Sequence, residues 1–565
     1  MKRTILQLLC ILIMGQVTAQ QQDNKMTDLL VHYEADKGSL NRFYVIDGSP
    51  ERRDRLKVFN KDYQQQLSAI NFESLSAGSR VDYVLLRRDL QEKLRVLDEE
   101  TTRYGQLTNW FPQADKIYLA EKIRRRGGKQ DAQALAATFR EIALALKNKE
   151  KQLATTTDLS IYLLRTGAGI SKGLIEALNS VHTFYNGYDP LYTWWAPAPY
   201  KQLDSALRSY SAAWDLKVKT APGSKDDGSG IIGHPIGREE LIRQLQNEMI
   251  PYSPEELIDI ANKEFAFCDA EMLKASEEMG CGKDWQKAME KVKNSYVPAG
   301  DQPEAMMKLY NESVSFLKEH QLVTLPPLAD ETWRMIMMTP ERQLVNPFFT
   351  GGEEFSISYP TNDMEEADKM MSMRGNNPHF SRATVHHELL AGHALQEFMT
   401  NRYKTYRHFE TPFWIEGWAL YWEMLLWDMK FPQSPEDRVG MLFWRKHRCA
   451  RIIFSLNYHL GKWTPQQCID FLVDRVGHER ANAIGEVRRS FTGGYSPLYQ
   501  VAYMIGGLQF MALKRELVDG GKMTYQQYHD AILQQNMLPV ELIRSILTDK
   551  PIAKDFKTSW RFYKL

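Results

Sequence analysis

The sequence has no excess of either charge: 71 Lys and Arg face 71 Asp and Glu in 565 residues. It therefore lacks the basic footprint of a nucleic-acid binder, and no nucleic-acid partner is expected. Cysteine is scarce, with five residues and no Cys-x-x-Cys pair. That excludes a disulfide framework and a thiolate metal site. One or two bridges among Cys268, Cys281, Cys449 and Cys468 stay open, with no pairing readable. No apolar run reaches 18 residues, so no transmembrane anchor is expected. Gly (34) and Pro (24) are ordinary and 11% of residues are aromatic, which excludes collagen-like and disordered chains. Repeats and low-complexity tracts are absent as well.

What is present begins with an export signal. Lys2 and Arg3 precede an apolar stretch from Ile5 to Met14, and Val17 and Ala19 are small residues suited to cleavage before Gln20. Residues 1–19 thus read as a secretory signal peptide. Gln7-Leu8-Leu9 before Cys10 lacks the small residues of a lipoprotein cleavage site, which disfavours lipid anchoring. The expected product is an exported protein, periplasmic or extracellular.

The remainder reads as mainly α. Tyr83, Leu86, Leu90, Leu94 and Leu97 recur at helical intervals, and residues 131–153 and 255–278 behave alike. Ser253-Pro254-Glu255-Glu256 has the pattern of an N-cap followed by Pro at the first helical position. Ala221 to Gly237, rich in Gly, Ser, Asp and Lys, reads as a loop between an N-terminal helical half (20–225) and a C-terminal half (226–565). Phe355 to Tyr359 alternates apolar and polar between Gly351-Gly352 and Pro360, as a half-buried strand does. Such a strand could align an extended peptide, or form a small edge hairpin with no ligand. Trp194-Trp195, near Tyr188, Tyr192 and Tyr200, reads as a packing cluster before a sugar platform.

The chemistry concentrates in His386-His387-Glu388-Leu389-Leu390-Ala391-Gly392-His393-Ala394-Leu395-Gln396. On a regular helix His387 and His393, six apart, differ by roughly 120° and rise by about 9 Å. Zinc holds nitrogen ligands at about 2 Å, so a straight helix cannot bring both rings to one ion. Two residues must bulge out, and Gly392 is best able to allow it. His386 and His393 share a face but lie about 10.5 Å apart along the axis, so His386 reads as a packing residue. Downstream, Thr411-Pro412 starts a helix that places Glu416 and Glu423 on one face among aromatics. A carboxylate in such surroundings needs a partner, and a metal ion or a liganding His supplies one.

The paired strings "HELLAGHALQ" and "EGWALYWE" resemble the HExxPGHxxQ and EGWALYxE motifs of a large bacterial family named domain of unknown function 885, related to gluzincin metallopeptidases. The resemblance extends to Gly237–Ala261 and to Glu486–Gly506. It implies a large helical gluzincin-like fold with a small β-sheet beside an active-site cleft. It also implies one Zn2+ per chain, with His387, His393 and Glu416 as ligands and Glu388 as general base. Tyr503 matches a family tyrosine and is the implied oxyanion donor, with Tyr499 and Tyr495 as runners-up. Apart from the resemblance, Glu423 reads as an acceptor from a liganding His that fixes its tautomer, or as a replacement third ligand should Glu416 point away. Arg488 could bind a substrate carboxylate or pair with Glu486 or Glu423. Ala391 stands where the family has Pro, Leu498 and Tyr499 replace a Gly-Gln pair, and Ser490 replaces a Tyr. The expected activity is a zinc peptidase acting on short peptides, dipeptidyl- or carboxypeptidase-like. The alternatives are an inactive peptide- or metal-binding protein of the same fold, and a glycosidase using Glu388 and Glu416.

Overall fold

The computed structural model describes residues 2–221, 226–345, 348–492 and 494–565, the side chains of 2–19 and 344–345 excepted. The signal peptide expected over 1–19 falls outside the fully described residues. The chain divides into two compact units, Met1–Lys225 and Asp226–Leu565.

The first unit is helical. Ser76, Asp131 and Ser160 each cap a helix by accepting from the backbone N–H three residues on, starting Ala77–Leu107, Ala132–Thr155 and Ile161–Tyr185. Within Ala77–Leu107 the periodic residues Tyr83, Leu86, Leu90 and Leu97 are buried, whereas Leu94 is only half-buried. The core closes around Trp214, which stacks on Phe111 at 5.7 Å. Gly167 makes room for that indole: a Cβ there would lie 2.5 Å from the ring. The Trp194–Trp195 cluster divides, with Tyr192 in the core while Trp194 (80%) and Tyr188 (86%) face solvent.

The second unit is also mainly helical. Its Pro254–Glu278 helix opens on a reciprocal capping box between Ser253 and Glu256. The Pro435–His459 helix is buried along almost its whole length. Cys268, Cys281, Cys449 and Cys468 are all buried and unbridged. The Pro412–Asp428 and Tyr499–Lys514 helices cross where Gly417 meets Gly506; a Cβ on Gly417 would sit 2.5 Å from the Gly506 backbone. This close approach brings Glu416 beside Tyr499 and Tyr503.

The only sheet among the described residues has two parallel strands, Arg334–Met337 (β1) and Glu354–Ile357 (β2), with Arg334 opposite Glu354. Polarity alternates along β2, but Phe355, Ser356 and Ile357 are all buried. Ser356 is also bridged on its backbone by Thr350, donating at 2.7 Å and accepting at 3.3 Å. The strand is therefore not half-buried, and its outer edge at Ser356 is already paired. Among the described residues no helix is long and apolar enough to cross a membrane.

Candidate metal centre

The helix that carries His387 runs from Pro378 to Glu388 and stops. A second helix begins at His393 and ends at Thr400. The interruption is thus a full break and not a bulge inside one helix. Leu389 leaves the helical region (φ −103°, ψ −137°), the Leu390–Ala391 peptide is cis, and Gly392 is extended in ψ (φ −79°, ψ −131°). Gly392 is required on steric grounds, since a Cβ there would run into the carbonyl of His387. Two side chains hold the break. Trp418 Nε1 donates to the Ala391 carbonyl at 2.9 Å, and Gln396 Nε2 donates to the Trp414 carbonyl at 3.1 Å.

The break turns the two imidazoles toward each other, with ring centroids 5.0 Å apart and planes at 84°. Glu416 Oε2 lies 3.7 Å from His387 Nε2 and 3.4 Å from His393 Nε2. One donor atom from each of the three residues falls within 4.8 Å of the others, so this group can hold a metal ion. The donor set, two imidazoles and a carboxylate, suits a borderline divalent ion.

The surrounding charges favour a cation at this point. Burial works against charge on both histidines, yet Glu416 lifts His387 above its ordinary value and His393 to about 9. Burial likewise opposes charge on Glu416, but the two imidazoles hold it well below the carboxylate range. The cluster therefore draws positive charge to its centre.

Partners behind the three residues fix their orientation. His387 Nδ1 lies 2.6 Å from Glu423 Oε1. An ionised carboxylate only accepts, so Nδ1 carries the proton and Nε2 presents its lone pair to the cluster. His393 Nδ1 lies 3.4 Å from Gln396 Oε1. Tyr499 donates to the second oxygen of Glu416. Glu388, adjacent in sequence, places Oε1 3.9 Å from His387 Nε2. Its Oε2 accepts from the Gly351 N–H. Gly351 is squeezed against the Glu388 backbone, where no Cβ fits.

These groups open on one cavity of about 230 Å³, lined by His387, His393, Glu416 and Glu388 on one side and by Tyr499, Tyr503, Arg448, Arg451 and Arg489 on another. Tyr503 stacks near-parallel to His387 at 6.3 Å. Burial first, and then Glu416, push its phenol up to about 12, so it keeps its proton at neutral pH.

The structure thus brings together His387, His393, Glu416, Glu388, Glu423, Tyr499 and Tyr503. It does not bring in Arg488, which is exposed and does not line the cavity. One residue is about 100° of helix rotation, and Arg489 takes the inward position instead. Glu486 is paired by Arg451 at 2.7 and 3.1 Å, and Glu423 faces Arg448 at 3.5 Å. His386 is fully buried against Phe431 and apart from the cluster. Sequence reasoning missed Arg448, Arg451, Arg489 and Gly351. The one readable signal was Arg448 and Arg451, three apart on one face of a helix otherwise rich in apolar residues.

Two solved structures share this fold. One, described as a presumed lipoprotein of unknown function from Shewanella oneidensis, aligns with a TM-score of 0.68 at 16% identity, covering 93% of this chain and 99% of that one. The other, a presumed lipoprotein from Colwellia psychrerythraea, aligns with a TM-score of 0.58 at 15% identity, covering 94% and 99%. No curated protein matches the sequence. Residues 42–547 match the family described as bacterial protein of unknown function (DUF885), and the chain belongs to that family.

Proposed function

We propose that this protein is an exported zinc-dependent peptidase that hydrolyses short peptides, built on a gluzincin-like helical fold. The reading is carried by the convergence of one donor atom each from His387, His393 and Glu416 within 4.8 Å, with Glu416 Oε2 3.7 and 3.4 Å from the two Nε2 atoms, beside a further carboxylate that the ligand set does not use. A zinc ion held by these three residues supplies Lewis acidity toward a peptide carbonyl and a water molecule.

The chain's own groups supply the rest. Glu388 Oε1 faces the cluster while Gly351 holds Oε2, so one oxygen is free to take a proton from water and return it to the leaving amine. Tyr503 keeps its phenolic proton and donates toward oxyanion charge from the cavity wall. A cavity of about 230 Å³ admits a peptide end and not a folded protein. The signal-like first 19 residues and the likeness to structures described as presumed lipoproteins support export.

The test is Glu388→Gln in the purified mature chain, assayed by elemental analysis and by digestion of a peptide library read by mass spectrometry. Zinc stays near one per chain and peptide cleavage falls by about two to four orders of magnitude. Full cleavage by the variant refutes Glu388 as the base. Glycoside hydrolysis without stoichiometric metal refutes the peptidase reading.

A further inference from the structure

The cavity wall facing the cluster holds more positive charge than its own carboxylates neutralise. Arg448, Arg451 and Arg489 all line it. Glu486 is the carboxylate set among them, and its hydrogen bonds are taken. Its Oε1 accepts from Arg451 Nε at 2.7 Å and from Gln500 Nε2 at 3.1 Å, and its Oε2 accepts from Arg451 Nη2 at 3.1 Å. Arg489 Nε stands off at 3.6 Å from that Oε2, outside hydrogen-bond range. Arg448 reaches Glu423 only at 3.5 Å, and Glu423 is already engaged with His387.

Three guanidinium nitrogens are left buried without a hydrogen-bond partner: Arg448 Nε, Arg451 Nη1 and Arg489 Nε. Leaving such donors unpaired is costly. The planar guanidiniums are also held in place by aromatic rings, Arg489 at 4.9 Å from Tyr495, and Arg448 and Arg451 at 4.7 and 4.4 Å from Tyr503. Rigid, desolvated, under-paired guanidiniums match a planar anion with two oxygens.

We propose that this wall is a carboxylate subsite, in which Arg489, backed by Arg451, receives a carboxylate of the bound peptide. The inference rests on the peptidase reading and names its substrate class: short acidic peptides, whose carboxylate is the free C-terminus or an Asp or Glu side chain. Arg489 is the primary contact because its side chain lacks the bidentate partner that Arg451 has.

The test measures binding by calorimetry in the zinc-loaded Glu388→Gln chain, so that turnover does not consume the probe. The probes are acetyl-pentaalanine as free acid, the same peptide as C-terminal amide, and the amide with a central Glu. The free acid is expected to bind about 10- to 100-fold tighter than the plain amide if the C-terminus is recognised. The Glu-containing amide shows that advantage if the side chain is recognised. Adding Arg489→Gln removes the advantage, and Arg489→Lys restores part of it. Equal binding of the three probes, or no binding of any, overturns the subsite even if Arg489→Gln fails to fold. Wild-type cleavage of neutral amides with no preference for acids leaves the peptidase standing and sinks the subsite. Carboxylate-selective binding without any hydrolysis by the wild type sinks the peptidase and leaves the subsite.

Discussion

His387 Nδ1 and Glu423 Oε1 are 2.6 Å apart, both buried, on the side of the imidazole turned away from the cavity. The carboxylate fixes the ring's orientation and leaves Nε2 as the nitrogen that can take a metal ion. Replacing Glu423 with Gln removes the charge while keeping the shape. Zinc affinity is expected to fall about 10- to 100-fold, read by competition with a chromogenic chelator. An affinity within twofold of wild type would show that Glu423 does not orient the ligand.

Gly392 sets the break between the two histidine helices. In Gly392→Ala the new methyl meets the His387 carbonyl, so the turn must open. Overpacking of this kind costs on the order of 1–3 kcal/mol, and it also separates the imidazoles. Zinc stoichiometry should drop well below one per chain, with Tm lowered. A variant that keeps full metal content would show that the break tolerates a side chain.

The local strings carry much of this site. His387, Glu388, Gly392 and His393 lie within seven residues, and Glu416 and Glu423 are seven apart, so their grouping follows from helix geometry and one forced interruption. Other features depend on packing and have no local mark. Choosing Arg489 over Arg488 needs the rotational phase of the Arg480–Thr492 helix, which is set where Glu486 meets Arg451. Gly351 reaches Glu388 from 37 residues upstream through a backbone N–H, which leaves no side-chain signature. Ser356 is polar yet buried, and its backbone is paired with Thr350, so alternation in sequence does not become alternation in exposure. The mainly helical class is plain from the apolar periodicity, whereas the partner of each helix is not.

Acid should destabilise the protein well above the carboxylate range. Burial pushes His459 down to about 4 and His478 and His529 to about 3. His529 shows why the neutral form is kept: Nδ1–H donates to the Leu322 carbonyl at 2.7 Å, and Nε2 accepts from Tyr421 at 2.7 Å. In the unfolded chain these rings take up protons near pH 6.5. Between about pH 6.5 and 3 the unfolded state binds more protons, so stability falls with pH across that window. Each ring costs about 1.4 kcal/mol per pH unit there. Glu486 acts lower. Burial would raise its pKa, but Arg451 and Arg489 bring it down to about 2, so its contribution holds above the ordinary carboxylate range and is lost toward pH 2. Urea midpoints at pH 6.5, 5.5 and 4.5 should decrease steadily; above about pH 6.5 His393, raised to about 9, works the other way in the metal-free chain. A flat profile between about pH 6.5 and 4.5 would contradict buried neutral histidines.

Metal removal should be felt as lost stability. A ligand that binds only the folded chain adds about 2.7 kcal/mol when present at 100 times its Kd. Tm should therefore rise with added zinc in the chelator-treated wild type and stay unchanged in Glu416→Ala. An equal rise in both would place the binding elsewhere.

Whether His387, His393 and Glu416 share one ion can be seen by anomalous diffraction at the zinc absorption edge from crystals of the mature protein. A single strong peak is expected about 2 Å from His387 Nε2, His393 Nε2 and a Glu416 oxygen. Density showing Glu416 turned away from both imidazoles, with no peak between them in zinc-soaked crystals, would contradict a shared ion.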